Sequence, residues 1–293
     1  MLDKILLNTI QKRLSINISS AIPVSGGSIN AVYCLQASNK KYLLKLNSRG
    51  QFPGMFKCEV EGLSALAKTK AIGIPQMILQ DDIDDKSFLL LEWIDTRRPT
   101  PKSSATLGEQ LAQLHRSTAK SFGFEADNYM GSLPQSNRRH DKWSDFFIEE
   151  RLMPMVKMAA NKQLLNSNDQ QAFEQLYKNI PNLFDEEPPS LIHGDLWGGN
   201  YLISEDEKPY LIDPAVSYSH REFDIAMSTL FGGFSQEFYT AYHEAFPLAK
   251  GWQQRMDLWN LYPLLVHLNL FGAGYLGQVR GCLREYVNQD LRD

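Results

Sequence analysis

Leu191-Ile-His-Gly-Asp-Leu-Trp-Gly-Gly-Asn200 places a carboxylate, Asp195, five residues ahead of an amide, Asn200, directly after a short apolar run. Tyr201–Ile203 and Pro209–Ile212 read as the arms of a hairpin whose turn is Ser204-Glu-Asp-Glu-Lys208. A second carboxylate, Asp213, closes the hairpin in Leu211-Ile-Asp-Pro214. Phosphoryl transfer to a hydroxyl needs such a set. One carboxylate accepts the hydroxyl proton, while an amide oxygen and another carboxylate hold Mg²⁺ against a triphosphate. Asp and Asn beside Gly are also common turn formers, so a plain turn is the competing reading of either residue alone. His193 reads as structural, bracing the loop by hydrogen bonds.

Outward from this stretch the pattern changes once. Before it lie a short helix in MLDKILLNTIQKRL and strand-like runs at Ser20–Ser25, Ala31–Ala37, Tyr42–Asn47, Gln76–Gln80 and Ser87–Trp93. A helix spans Pro53 to Lys68, with Phe52, Phe56, Val60, Leu63 and Ala67 on one face by their three- and four-residue spacing. Residues 1–94 therefore read as a small α+β lobe of five antiparallel strands and one main helix. The polar, proline-bearing segment 95–102 reads as a hinge. Residues 103–293 read as a mostly helical lobe, with helices at Ala105–Ser117, Ser144–Ala160, Asp169–Leu183, Glu222–Leu230, Gln236–Ala245 and Asp257–Leu270. Only the hairpin described above interrupts them.

The 293 residues are 43% hydrophobic and 22% charged, the composition of a globular enzyme with a sizeable core. A net charge of −4 and the lack of a basic stripe speak against nucleic acid and anionic membrane as partners. Cys34, Cys58 and Cys282 are odd in number and widely spaced, which suggests reduced thiols in a cytoplasmic protein, by default as buried filler. Leu261–Leu276 carries Pro263, His267, Asn269 and two glycines, so it reads as a buried helix and not a membrane span.

The first lobe supplies a complementary set. Lys45 is the lone cation in the apolar strand Tyr42-Leu-Leu-Lys-Leu46 and suits a grip on nucleotide phosphates. Glu59 and Glu61 on the following helix are its candidate ion-pair partners; Leu63 and Leu66, at +4 and +7 from Glu59, favour Glu59. Gly26, Gly27 and Ser28 lie in a loop able to offer backbone N–H groups to phosphate oxygens, although a hairpin turn is the simpler reading. Glu92, Trp93, Ile94 and Asp95 run from a buried strand into the hinge, where their main chain would meet an adenine ring.

The spacing of His193, Asp195, Asn200 and Asp213 equals that of the protein-kinase catalytic loop and its metal-binding aspartate, which implies a protein-kinase-like two-lobed fold. More closely, the chain resembles the fructosamine kinases, a branch of the aminoglycoside phosphotransferase-like kinases. HGDLWGGN (193–200), DPAVSYSHREFDIAM (213–227), LFGGF (230–234), FYTAYHEAFPL (238–248) and HLNLFGAGYLGQ (267–278) carry the resemblance. GGSINAVYCL (26–35), LGEQLAQLH (107–115) and the run from SLPQSN (132–137) to WSDFFIEERL (143–152) echo it.

The resemblance implies ATP and Mg²⁺ as cofactors, with transfer of the γ-phosphoryl group to the O3 hydroxyl of a small-molecule or protein-bound ketosamine. The unstable product then releases the amine. Asp195 is implied as the base, Asn200 and Asp213 as magnesium ligands, Lys45 as the phosphate grip and Glu59 as its partner. Trp197, His267 and Asn269 are nominated for the sugar pocket, against rival readings as a loop brace and as satisfied polar groups in a helical core. Asp224 is expected to anchor the catalytic loop through backbone hydrogen bonds and to suit a helix start. Pro214-Ala215 follow Asp213 where protein kinases carry Phe-Gly, which speaks against a protein-kinase type of activation switch. Ser28 stands where some relatives carry cysteine. A kinase of another small alcohol or amino sugar on the same fold is the alternative.

Overall fold

The computed structural model describes residues 2, 4–24, 29–38 and 40–287. Helix α1 (Lys4–Leu14) precedes strands β1 (Ile18–Val24), β2 (Ala31–Ala37) and β3 (Lys40–Ser48), then helix α2 (Met55–Thr69), then strands β4 (Met77–Ile83) and β5 (Lys86–Glu92). The five strands make one antiparallel sheet in the order β1-β2-β3-β5-β4. A helix covers each face, so the central run Phe88-Leu-Leu-Leu91 is continuously apolar and fully buried. Strand alternation sends Leu44, Phe88 and Leu90 toward Leu6 and Ile10 of α1. It sends Leu89 and Leu91 toward Phe56 and Leu63 of α2. Lys45 pairs across the sheet with Leu89 and therefore shares the α2 face.

The expected helix face of α2 needs one correction. Ala67 is exposed; Leu66 is the last-turn residue that turns inward, and it joins the core of the helical lobe. Three calls on the loop at Gly26, Gly27 and Ser28 lie outside the described residues.

Helix α3 (Pro101–His115) begins earlier than its periodicity suggests, inside the segment read as hinge. Thr100 caps it in a reciprocal box with Ser103, and Pro101 occupies the first turn where its missing N–H costs nothing. Then come the hairpin β6 (Asn128–Met130) and β7 (Leu133–Gln135) and helix α4 (Trp143–Phe146). A π-helical turn (Phe147–Leu152) runs on into α5 (Met153–Asn161), and α6 (Ser167–Asn179) follows. Strands β8 (Ser190–Ile192), β9 (Tyr201–Ile203), β10 (Pro209–Leu211) and β11 (Ser217–Ser219) precede α7 (Glu222–Met227), α8 (Gln236–Ala245), α9 (Trp252–Phe271) and α10 (Leu276–Val287).

The expectation of a single hairpin in this lobe is incorrect. β6 pairs with β7 and β8 with β11, besides β9 with β10. Each strand is three residues long, too short for alternation to show. Helix α10 is also additional; Gly277 and Gly281 dilute its helical signal, while Val279, Leu283 and Tyr286 bury one face at i, i+4 and i+7. Of the stretch Leu261–Leu276 read as one buried helix, Leu261 to Val266 are buried within α9, but the helix ends at Phe271, and Phe271, Ala273 and Gly274 are exposed. The three cysteines are free and half-buried, so buried filler overstates their burial. No helix among the described residues is long and apolar enough to cross a membrane.

The β9–β10 hairpin is stitched to the first lobe along one edge and to the hinge segment along the other. Leu211 N–H donates to Gly73 O (2.9 Å), while on the other strand Arg97 N–H donates to Ile203 O (2.9 Å) and Glu205 N–H to Asp95 O (3.0 Å). In the helical lobe α3 and α8 cross at Gly108, where a Cβ would stand 2.3 Å from Phe238 O. Gly108→Val should therefore lower thermal stability by roughly 1–3 kcal/mol through overpacking, read as a reduced Tm by circular dichroism. An unchanged Tm would show that the crossing is not tight.

Candidate active site

The turn that carries Asp195 begins where β8 ends. His193 N–H (2.7 Å) and Gly194 N–H (2.8 Å) both donate to the fully buried carboxylate of Asp224. Gly194 has φ +82° and lies so close to the opposite chain that a Cβ would sit 2.1 Å from Ala215 O. Only glycine fits there. Asp224 is steadied from α3 by His115 Nε2 (3.2 Å), whose other nitrogen meets Tyr242 Oη at 2.8 Å. Both of those side chains went unrecognised in the sequence, since a histidine ending a helix reads as ordinary terminal charge.

His193 holds the loop together, as its structural reading requires. Nε2–H donates to Ile212 O (2.8 Å), which leaves Nδ1 to accept Asp195 N–H (3.2 Å). Burial keeps its pKa below the ordinary imidazole range, so the ring is a neutral brace. His193 O in turn accepts Ala215 N–H (2.9 Å), which laces the Asp195 turn to the segment after Asp213.

Asn200 Nδ2 donates to both the carbonyl (2.8 Å) and the Oδ2 (2.9 Å) of Asp195. Its amide nitrogen is thereby committed, and Oδ1 is the atom left to meet a cation. Ile212 N–H donates to Asn200 O (3.1 Å), which brings Asp213 alongside. Asp213 has φ +55°, a left-handed backbone for a non-glycine residue. Its carboxylate accepts a hydrogen bond from Lys45 Nζ. Lys45 also donates to Glu59 Oε1 at 2.6 Å, whereas Glu61 faces Lys57 at 4.0 Å on the outer side of α2. Burial works against the Lys45 ammonium, but Asp213 and Glu59 outweigh it and hold its pKa above the ordinary value.

Asp195 is the perturbed acid of the group. Burial pushes its pKa up to about 7; the Asn200 hydrogen bond pulls down, while the charges of Asp213 and Asp224 push up again. A carboxylate poised near neutrality, hydrogen-bonded to an amide and close to a second carboxylate, is equipped to accept a proton. The candidate ligand atoms, Asn200 Oδ1 and the Asp213 carboxylate, are all oxygen, which suits Mg²⁺ and not a thiophilic metal. Elsewhere His140, Glu149 and Glu150 also cluster, but Arg138 bonds to both glutamates at 2.5 and 2.8 Å and occupies that acidic group.

The remaining nominees divide. Asp95 uses its side chain to accept from Lys41 Nζ (2.6 Å) and Trp93 Nε1 (2.9 Å), and its carbonyl is taken by Glu205. Glu92 N–H donates to Gln76 O at 2.8 Å. Trp197 folds over Gly199, where a Cβ would stand 2.3 Å from the indole, and is partly exposed. His267 is half-buried and donates from Nδ1 to Pro263 O at 2.8 Å. Asn269 corrects the expectation: it is buried, and Nδ2 donates to Met155 O (3.0 Å) and Leu265 O (2.9 Å) inside the helical core. Its amide ties α9 to α5 and does not line the cleft.

The chain is similar to known proteins over nearly its whole length. The family model described as fructosamine kinase matches residues 3–289. A protein from Enterococcus faecium named as a probable ketoamine kinase is 38% identical over 96% of this chain and 99% of its own length. The chloroplastic protein-ribulosamine 3-kinase of Arabidopsis thaliana is 36% identical over 90% of this chain and 81% of its own. A crystal structure from Thermobifida fusca, named for fructosamine-3-kinase, superposes with a TM-score of 0.87 at 33% identity, covering 96% of this chain and 98% of that one. An aminoglycoside phosphotransferase shares the fold alone, with a TM-score of 0.64 at 14% identity.

Asp224→Asn should loosen the turn without unfolding the lobe. It leaves an NH₂ facing an N–H donor, a loss of about 1.5–3 kcal/mol for a charge-assisted hydrogen bond. Amide hydrogen exchange at His193 and Gly194 should then quicken by roughly 10–100-fold. Unchanged protection at both amides would contradict the anchoring role.

Proposed function

The chain belongs to the fructosamine kinase family, and from that premise we propose that it transfers the γ-phosphoryl group of ATP to the O3 hydroxyl of ketosamines, supporting deglycation of amines. The observation that carries the reading is the direct bond from Asn200 Nδ2 to Asp195 Oδ2 at 2.9 Å, with Asp213 held in place by Lys45. It sets a proton acceptor beside two metal-type oxygen ligands in one rigid corner.

Asp195 accepts the sugar hydroxyl proton as the oxygen attacks the γ-phosphorus. Asn200 Oδ1 and Asp213 hold Mg²⁺, which when bound neutralises charge on the phosphates. Lys45, aligned by Glu59, grips the phosphate oxygens. Of the hinge residues, the Glu92 amide and the Asp95 carbonyl are already engaged, so the other main-chain groups of Glu92 to Asp95 are the ones offered to the adenine. Trp197 and His267 face the sugar. The free cysteines accord with a reducing, cytoplasmic setting.

Purified protein with Mg–ATP should turn over ketosamines and neither aminoglycosides nor choline; the reverse would leave the fold and remove the function. Asp195→Asn keeps size and hydrogen-bonding reach but cannot accept the proton. It should reduce kcat on a ketosamine by ~10²–10⁴-fold with little change in ATP affinity. The pH profile carries a second sign. Asp195 acts ionised and its pKa is raised toward about 7. Activity should therefore fall as pH drops through an acid limb at or below that value, lower when bound metal neutralises Asp213. The residual activity of Asp195→Asn should lack that limb, and a limb that persisted would assign it to another group.

A further inference from the structure

SLPQSN (132–137) supplies none of the catalytic set, yet it carries a buried amide that points toward it. Gln135 of β7 lies opposite Asn128 of β6, and both side chains are buried. A chain of hydrogen bonds runs through them in one direction. Tyr262 Oη on α9 donates to Gln135 Oε1 (2.7 Å), Gln135 Nε2 donates to Asn128 Oδ1 (2.7 Å), and Asn128 Nδ2 donates to Val216 O (2.9 Å). Gln135 Nε2 also reaches Ala215 O at 3.4 Å. Each amide is fixed by the partner before it, so the tyrosine hydroxyl decides which way both amides point. Two buried amides are a costly filling for a core, since apolar side chains would need no partners.

The chain ends on the two residues that follow Asp213 and Pro214. Asp213 has φ +55°, a conformation that a non-glycine residue keeps only when the chain around it is firmly held. On the upstream side Ile212 is held at both polar groups, its N–H on Asn200 O and its carbonyl under His193 Nε2. On the downstream side Pro214 has no N–H to offer, so Ala215 and Val216 are the first residues that hydrogen bonds can grip from both sides. Ala215 N–H donates to His193 O, and the amide chain takes the carbonyls of Ala215 and Val216. Ala215 O is also the atom against which Gly194 packs, where a Cβ would stand 2.1 Å away. The carbonyl that Gln135 reaches therefore touches the Asp195 turn on its other side.

We propose that Gln135, oriented by Tyr262, is a positioning residue for Asp213: the amide chain fixes Ala215 and Val216, and through them the carboxylate that meets Mg²⁺. The inference rests on the kinase reading and adds residues outside the cleft that set its metal affinity. Arg151 backs the arrangement from behind. It is buried, donates to Ser136 O (2.5 Å) and Asn137 Oδ1 (2.7 Å) beside Gln135, and places its guanidinium 5.6 Å from the Tyr262 ring.

The test reads metal binding without turnover, using Mn²⁺ as the probe and water-proton relaxation to report Mn²⁺–ADP held on the protein. Wild type should give a relaxation enhancement, and Asp213→Ala should lose it. Gln135→Met should weaken Mn²⁺–ADP binding by roughly 10–100-fold, the range for removing a support behind a metal ligand. Tyr262→Phe keeps the ring and only releases the Gln135 amide. It should give a smaller loss in the same direction, and it serves as the test if Gln135→Met does not fold. Both variants should bind metal-free ADP as wild type does, and their turnover should fall most at low Mg²⁺ and recover as Mg²⁺ is raised. Unchanged Mn²⁺–ADP affinity in a folded variant, or an equal loss of metal-free ADP, would overturn the positioning role and leave the kinase reading intact. A wild type that shows no enhancement with Mn²⁺–ADP would overturn the kinase reading, and this inference with it.

Discussion

One buried carboxylate receiving two consecutive backbone amides is the interaction on which the site depends. Asp224 takes the N–H groups of His193 and Gly194 and is itself held by His115. Without an acceptor, two amides pointing into the protein would cost about 1–3 kcal/mol each. The turn therefore exists because α7 delivers an acid there and α3 a histidine. Gly194 completes it, since a side chain would collide with Ala215 O. From this corner the positions of Asp195 and Asn200 follow with little freedom left.

The opposite wall of the site comes from sheet parity. Lys45 faces α2 because it shares a face with Leu89, and α2 places Glu59 within 2.6 Å. A buried lysine needs such partners, and it has two carboxylates, one from each lobe. α2 is seated against the second lobe as well: Gly62 packs on Pro214 and Val216, and Tyr129 Oη donates to Pro53 O at 2.9 Å. The Lys45–Glu59–Asp213 set thus stands assembled within a packed interface. Pro214 and Val216 serve as packing surface there.

The part of this arrangement legible in the sequence is the part where chemistry and spacing coincide. Asp195, Asn200 and Asp213 stand out because few turns need that combination, and Lys45 because a lone cation in an apolar strand requires a reason. Glu59 was separable from Glu61 only through the helix phase, which held near Leu63 and drifted by Ala67. What remained hidden depends on distant partners. Asp224 is legible as the anchor of the loop, but His115 and Tyr242 join it from two other helices, and no local pattern links them to it. Three-residue strands carry no period, and the glycines of α10 mask its helix. Asn269 lies within a stretch that carries the family resemblance, yet its amide is committed to carbonyls of α5 and α9, which only the packed structure reveals.

Phosphorus NMR of the product formed from a ketosamine and Mg–ATP addresses the central claim most directly. The account predicts phosphate on the O3 oxygen of the sugar, followed by its loss together with stoichiometric release of the free amine. Phosphate on any other hydroxyl, or a stable phosphorylated adduct that retains its amine, would contradict it.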